Sequence, residues 1–197
     1  MLTELARSRA RSLLAGIARV CVSLHISPNA LTVAGFVAIC LIALVIAAGY
    51  EALGGVLVIV AGAFDAVDGT LARETGKVSK FGAFLDSTLD RWADAVLFLA
   101  IIYRSLQQNS ELTAYLAVIA LIGSLLVSYT RARAEGLGAS MKEGWFTRLE
   151  RMIVLVAGLV LTAVFGPLAL TVAVGVLAVF ANLTAVQRVL AARRLLE

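Results

Sequence analysis

Apolar residues occupy six long stretches of this chain, with short polar breaks between them. A helix crosses a bilayer core with about 20 apolar residues, so each stretch predicts a spanning helix. The first covers about residues 30–49 and ends at "AAGY". The second starts near Glu51, stays apolar to Phe64, and continues as a helix into acidic sequence. The third opens near Gly82 with three aspartates and becomes fully apolar through "AVLFLAIIY". The fourth covers about 112–135, the fifth 149–166 and the sixth 168–190. Breaks at 49–51, 105–111 and 166–168 are short enough to make neighbouring helices antiparallel. The pattern predicts an all-α integral membrane fold with six transmembrane helices and no internal repeat beyond the helical period.

Residues 1–25 follow a different pattern. Leu2, Ala6, Leu13, Leu14, Ile17, Val20, Cys21 and Leu24 fall in one arc of a helical wheel, opposite Glu4, Ser8, Arg11, Ser12 and Arg19. Arginines spread along the segment exclude a cleavable signal with an unbroken apolar core. An amphipathic interfacial helix on an anionic leaflet is expected instead. "HISPNALT" then breaks it, with Ser27 or Asn29 as cap of the first span. Residues 1–25 are therefore expected as a juxtamembrane helix, and 26–197 as one six-helix domain.

Composition agrees with the pattern. The chain of 197 residues is 61% hydrophobic and 15% charged, with a mean hydropathy of +0.96. A soluble domain carries about 25% charge. Of seventeen lysines and arginines, Arg104 alone lies near the side shared by "GYE", "SLQQNSE" and "FGP". The opposite side is then cytoplasmic. This gives a multi-pass protein of the cytoplasmic membrane, and the cations find their use there without a nucleic-acid partner. Cys21 and Cys40 lack metal-ligand spacing and read as small hydrophobes, and His25 as an interfacial residue.

Chemistry concentrates in "DAVDGTLARETGKVSKFGAFLDSTLDR", residues 65–91. Asp65, Asp68, Gly69, Ala72 and Arg73 share one face of the second helix. Gly82, Asp86 and Asp90 step by four along the third. An aspartate at the bilayer midplane costs about 2.5–3.5 kcal/mol. Four converging carboxylates without cations would repel and largely protonate. Divalent cations relieve both costs, and an all-oxygen donor set favours Mg²⁺ or Mn²⁺ over zinc. Interfacial anchoring and an ion or solute pathway are the competing explanations. Neither explains the small residues Gly69, Ala72 and Gly82 among the acids, which let a helix or ligand approach closely.

These residues match the signature DxxDGxxAR(x8)GxxxDxxxD without departure, and the chain resembles the CDP-alcohol phosphotransferase family. The resemblance implies homodimeric enzymes that displace CMP from a CDP-linked lipid with an alcohol, using two divalent metals per active site. It implies that Asp65 and Asp86 bridge the metals, that Asp68 and Asp90 complete one site each, and that Asp90 is the catalytic base. It implies a CDP-lipid pocket from Asn29, Ala30, Leu31, Thr32, Gly69, Arg73 and Ser79. Asn29 stands where relatives sometimes have Asp. The lipid donor is expected to be CDP-diacylglycerol or CDP-archaeol.

The acceptor alcohol is read from "SYTRARAEGLGASMKEGWFTRLERM". Arg131 and Arg133 end the fourth helix, Lys142 lies in the loop, and Arg148 and Arg151 begin the fifth. Five cations beside the acidic helices predict a phosphorylated acceptor, though positive-inside anchoring explains any one of them. The stretch, with Asp94, resembles phosphatidylinositol phosphate synthases and their archaeal counterparts, which implies inositol 1-phosphate. Glycerol 3-phosphate, giving phosphatidylglycerol phosphate, is the alternative acceptor. A transporter with an intramembrane carboxylate pathway is the alternative of another class.

Overall fold

The computed structural model of the chain describes residues 27–74, 79–141 and 143–197, the side chains of 63–74 excepted. The expected amphipathic helix over 1–25, with Cys21 and His25, lies outside the described residues. So do Lys142, the surroundings of Gly69, and the side chains of Asp65, Asp68, Ala72 and Arg73.

Six helices follow in order: α1 (Pro28–Ala47), α2 (Glu51–Glu74), α3 (Lys80–Gln107), α4 (Glu111–Gly136), α5 (Arg148–Phe165) and α6 (Pro167–Leu196). Each expected apolar stretch is a helix. The last runs further than the apolar pattern did, because "AARRLL" contains good helix formers and no glycine or proline. Arg193 and Arg194 sit in its last turn, where cations complement the helix dipole. By length and composition, α1, α4 and α6 are apolar enough to cross a membrane. The apolar part of α2, Glu51–Gly62, is shorter, while α3 and α5 open with charged residues.

The chain divides into two compact units, Met1–Leu41 with Val58–Ala93, and Ile42–Leu57 with Asp94–Glu197. In the first, Ser27 caps α1: its hydroxyl accepts the Ala30 N–H at 3.2 Å, and Pro28 takes the first helical position. Asn29 is thus inside the first turn and not the cap. Ser79 does the same for α3, accepting the Gly82 N–H at 2.9 Å.

In the second unit, α6 packs along α4 and α5. Three rungs register α6 on α4. Thr113 and Thr171 hydroxyls bond at 2.7 Å, Asn182 Nδ2 donates to Ile119 O at 3.0 Å, and Arg188 Nη1 donates to Val127 O at 2.5 Å. Both numbers rise together, so these two helices run parallel. A β-carbon on Gly123 would lie 2.6 Å from Asn182 Nδ2, so glycine sets the closeness of that seam. The core is built from Leu97 and Ile101 of α3, Leu155 and Leu159 of α5, and Val174, Leu177 and Ala181 of α6. These recur at helical spacing.

The α1–α2 turn explains the isolated Arg104. Gly49, at φ +100°, reverses the chain, and a β-carbon there would lie 3.0 Å from the Arg104 guanidinium. Arg104 Nε donates to Glu51 Oε1 at 2.7 Å, and Gln108 Nε2 donates to the same oxygen at 3.0 Å. Large apolar side chains remain on the outside: Leu44, Leu112, Val164 and Leu168 are 63–73% exposed. Apolar surface on that scale is not left to water, so the fold is a membrane-associated one.

Candidate active site

In the first unit the opening turns of α1 and α3 approach each other. A β-carbon on Gly82 would lie 3.1 Å from Asn29 Oδ1 and 3.1 Å from Ser79 Oγ. Asn29 and Ser79, two residues of the expected CDP-lipid pocket, therefore meet at Gly82 of the signature. Thr32, one turn further, turns its hydroxyl back to Pro28 O at 3.1 Å, while Ala30 is exposed and Leu31 half-buried. Helix N-termini present unpaired N–H groups and positive dipole ends. An anion is the natural ligand of such a place.

Asp86 and Asp90 follow on α3, both half-buried. Their side chains supply hard oxygen donors, and the Ser27–Ala30 and Ser79–Gly82 caps fix the helix ends around them. Among the described residues no three His, Cys, Asp or Glu side chains gather as a complete metal cage. The donor chemistry present fits a divalent cation that prefers carboxylate oxygen, with neither Cys nor His in α3 to select zinc.

In the second unit, Asp94 is buried at 6% exposure. Arg148 Nε stands 3.6 Å from its Oδ1, and Arg151 Nη2 stands 3.9 Å from its Oδ2. Arg151 is itself buried and also donates from Nη1 to Phe146 O at 3.3 Å. Arg148 is half-exposed. Arg131 is exposed and pairs with Glu135 at 2.9 Å, one turn along α4, and Arg133 is exposed. Of the expected acceptor cations, Arg148 and Arg151 are gathered by one carboxylate, and Arg131 and Arg133 stand on the surface of α4.

Sequence reasoning missed Arg188. It is buried on α6, where its Nε donates to Glu143 O at 2.9 Å and its guanidinium lies against Gly144. It thus ties the α4–α5 loop to α6. The available signal was an arginine inside the apolar stretch of α6, a full turn before Arg193 and Arg194, with Ala185, Ala191 and Ala192 at helical spacing from it.

The description CDP-alcohol phosphatidyltransferase fits residues 25–186, most of the chain. The chain belongs to the CDP-alcohol phosphatidyltransferase family. Over 192 residues it is 36% identical to the archaetidylinositol phosphate synthase of Pyrococcus horikoshii, covering 97% of this chain and 96% of that one. A match to an uncharacterised protein of Aquifex aeolicus is 47% identical over 91 residues and spans 46% of each chain. Among solved structures, the phosphatidylinositol phosphate synthase of Mycobacterium tuberculosis with CDP-DAG bound superposes with a TM-score of 0.88. It is 31% identical, with 92% of this chain and 94% of that chain covered. The same mycobacterial protein has been solved with manganese and citrate, at a TM-score of 0.87 and 31% identity, covering 91% of this chain and 88% of that one. The resemblance drawn from the aspartate signature is borne out, and the enzyme class with it. The transporter alternative falls.

Proposed function

We propose that this family member transfers the phosphatidyl group of CDP-diacylglycerol, or the corresponding group of CDP-archaeol, to inositol 1-phosphate. CMP and a phosphatidylinositol phosphate are the products. The acceptor hydroxyl oxygen attacks the lipid-side phosphorus, the bond from that phosphorus to the CMP oxygen breaks, and the hydroxyl proton passes to the Asp90 carboxylate. Asn29, Ala30, Leu31 and Thr32 with Ser79 receive the nucleotide's phosphates at the meeting of two helix N-termini. Gly69 and Arg73 complete that pocket, the arginine as a bidentate fork. Arg131, Arg133, Lys142, Arg148 and Arg151 bind the acceptor's phosphate.

Asp65, Asp68, Asp86 and Asp90 hold two divalent ions, Mg²⁺ in the cell with Mn²⁺ as a substitute. Bound there, the ions neutralise diphosphate charge and stabilise the departing phosphate. Six spans with both termini in the cytoplasm leave the lipid's tails in the bilayer while its cytidine head reaches water at the inner leaflet. Residues 1–25 lie on that leaflet, 26–197 form the catalytic domain, and two copies form a homodimer.

The observation that carries the reading is the meeting of Asn29, in the first turn of α1, with Ser79 and Gly82, at the start of the helix that bears Asp86 and Asp90. Support for the acceptor comes from the inositol phosphate synthases among the relatives and from the Arg148–Asp94–Arg151 cluster. The test is CMP release by purified protein with CDP-diacylglycerol and, in turn, inositol 1-phosphate, glycerol 3-phosphate, serine and inositol. Release with inositol 1-phosphate alone is expected. Faster release with glycerol 3-phosphate would replace the acceptor, and release with none would remove the activity.

A further inference from the structure

We infer that Asp94 is the positioning residue for acceptor recognition, a carboxylate that aims Arg148 and Arg151 rather than one that meets substrate. The inference rests on the acceptor-phosphate reading above. Each oxygen of Asp94 faces a different guanidinium, Oδ1 toward Arg148 Nε at 3.6 Å and Oδ2 toward Arg151 Nη2 at 3.9 Å. The two arginines are three residues apart in the opening turn of α5, so they lie on one face and repel. They also stand at the positive end of the helix dipole, which disfavours them again. Long cationic side chains placed so would splay toward water without a fixed anion between them.

The cost of that anion is plain. Asp94 removes one unit of positive charge from a pocket meant for a dianion. If attraction alone mattered, a neutral residue would serve better. What the carboxylate supplies is orientation. Phosphate recognition by arginine depends on presenting two N–H groups in the plane of two oxygens. Arg151, buried and bonded to Phe146 O, presents its guanidinium from a fixed place, and Arg148, half-exposed, is the fork nearer to solvent.

The experiment measures KM for inositol 1-phosphate and for CDP-diacylglycerol by CMP release, with thermal midpoints in detergent, on the full chain. Wild type, Asp94→Asn, Asp94→Glu and Arg148→Ala are compared. Asp94→Asn and Asp94→Glu are each expected to raise the acceptor KM by about tenfold or more, as a misplacement of about 1 Å can. The CDP-lipid KM stays unchanged. Adding Asp94→Asn to Arg148→Ala should raise the acceptor KM little further, since the two act as one unit. A lower acceptor KM in Asp94→Asn would show charge screening instead of positioning and overturn the inference. A fallen midpoint with both KM values unchanged would overturn it as well, leaving Asp94 a structural counter-ion. Should Asp94→Asn not fold, Asp94→Glu decides alone, because it keeps the charge and moves only the carboxylate. If Arg148→Ala leaves the acceptor KM untouched, the acceptor reading itself fails and takes the inference with it. If Arg148→Ala acts and the Asp94 variants do not, the inference fails alone.

Discussion

Asn29 and Gly82 meet across the first turns of α1 and α3, where a β-carbon on residue 82 would stand 3.1 Å from Asn29 Oδ1. That is tighter than an ordinary van der Waals contact, so the asparagine or the helix must yield to any side chain at 82. Gly82→Ala therefore displaces Asn29 while adding a better helix former, worth up to about 1 kcal/mol in the opposite sense. The expected outcome is a raised KM for the CDP-lipid with a nearly unchanged thermal midpoint. Steady-state CMP release together with a melting curve checks it. An unchanged KM would detach this contact from nucleotide binding.

Asp90 is half-buried on α3 and is the carboxylate assigned to take the acceptor proton. Asparagine preserves its shape and removes its basicity. General-base catalysis contributes about 10²–10⁴-fold. Asp90→Asn should lose at least that much CMP release, while CDP-lipid still binds to the Asn29–Ser79 end of the pocket. Equilibrium binding and single-turnover release separate the two effects. Near-normal release would move the base elsewhere.

Chelation tests the same aspartates from the other side. On the proposed assignment, removing the divalent ion would leave the carboxylates of Asp65, Asp68, Asp86 and Asp90 to repel one another and the donor's diphosphate without its counter-charge. EDTA should abolish CMP release, and added Mg²⁺ or Mn²⁺ should restore it. Activity that survives exhaustive chelation would contradict a metal-assisted transfer.

Glu51 offers a perturbation with no part in the chemistry. Its Oε1 accepts from Arg104 Nε and from Gln108 Nε2, and its side chain is 12% exposed. Glu51→Ala strips two donors of their acceptor and leaves the Arg104 charge against Gly49 and the α1–α2 turn. The loss is about 1–3 kcal/mol, the range for leaving buried polar groups unsatisfied. The melting temperature should fall while KM for both substrates stays as it was. A change in KM without a change in stability would mean that this turn is coupled to the site.

Much of this was legible in the residues. Apolar run length located six helices, and the aspartate spacing identified the chemistry, because a polar group in a membrane helix needs a reason. Ser79 was read as a phosphate contact, and what the structure shows is a cap: its hydroxyl accepts from the Gly82 N–H at the start of α3, in the kind of place where an anion would bind. Asn29 as a cap was the wrong half of an alternative, because Pro28 pre-sets the first helical position and leaves the preceding Ser27 to cap. The partners of the basic residues were not legible. Asp94 could be placed on α3 from spacing, but its pairing with Arg148 and Arg151 depends on how α3 and α5 pack. Arg188 escaped for the same reason: its acceptors are backbone carbonyls of Val127 and Glu143, which carry no sequence identity.

Helix packing in the second unit gives a last expectation. A β-carbon on Gly158 of α5 would fall 2.3 Å from the Ala173 β-carbon of α6, a separation no pair of carbons sustains. On Gly175 of the same α6, the nearest atom would be Leu116 Cδ1 at 3.7 Å, an ordinary contact. Both sites are helical, so the propensity gain from glycine to alanine is about the same at each. The difference between them isolates the packing. Gly158→Ala should lower stability by about 1–3 kcal/mol, the usual cost of forcing a methyl into a filled interface. Gly175→Ala should be neutral or slightly stabilising. Thermal unfolding of the two variants in the same detergent measures the contrast. Because Gly158 lies in the same unit as Arg148 and Arg151 but far along α5 from them, acceptor KM should move little in either. Equal stabilities would mean that α5 and α6 separate enough to admit the methyl, and that their small residues do not set the spacing.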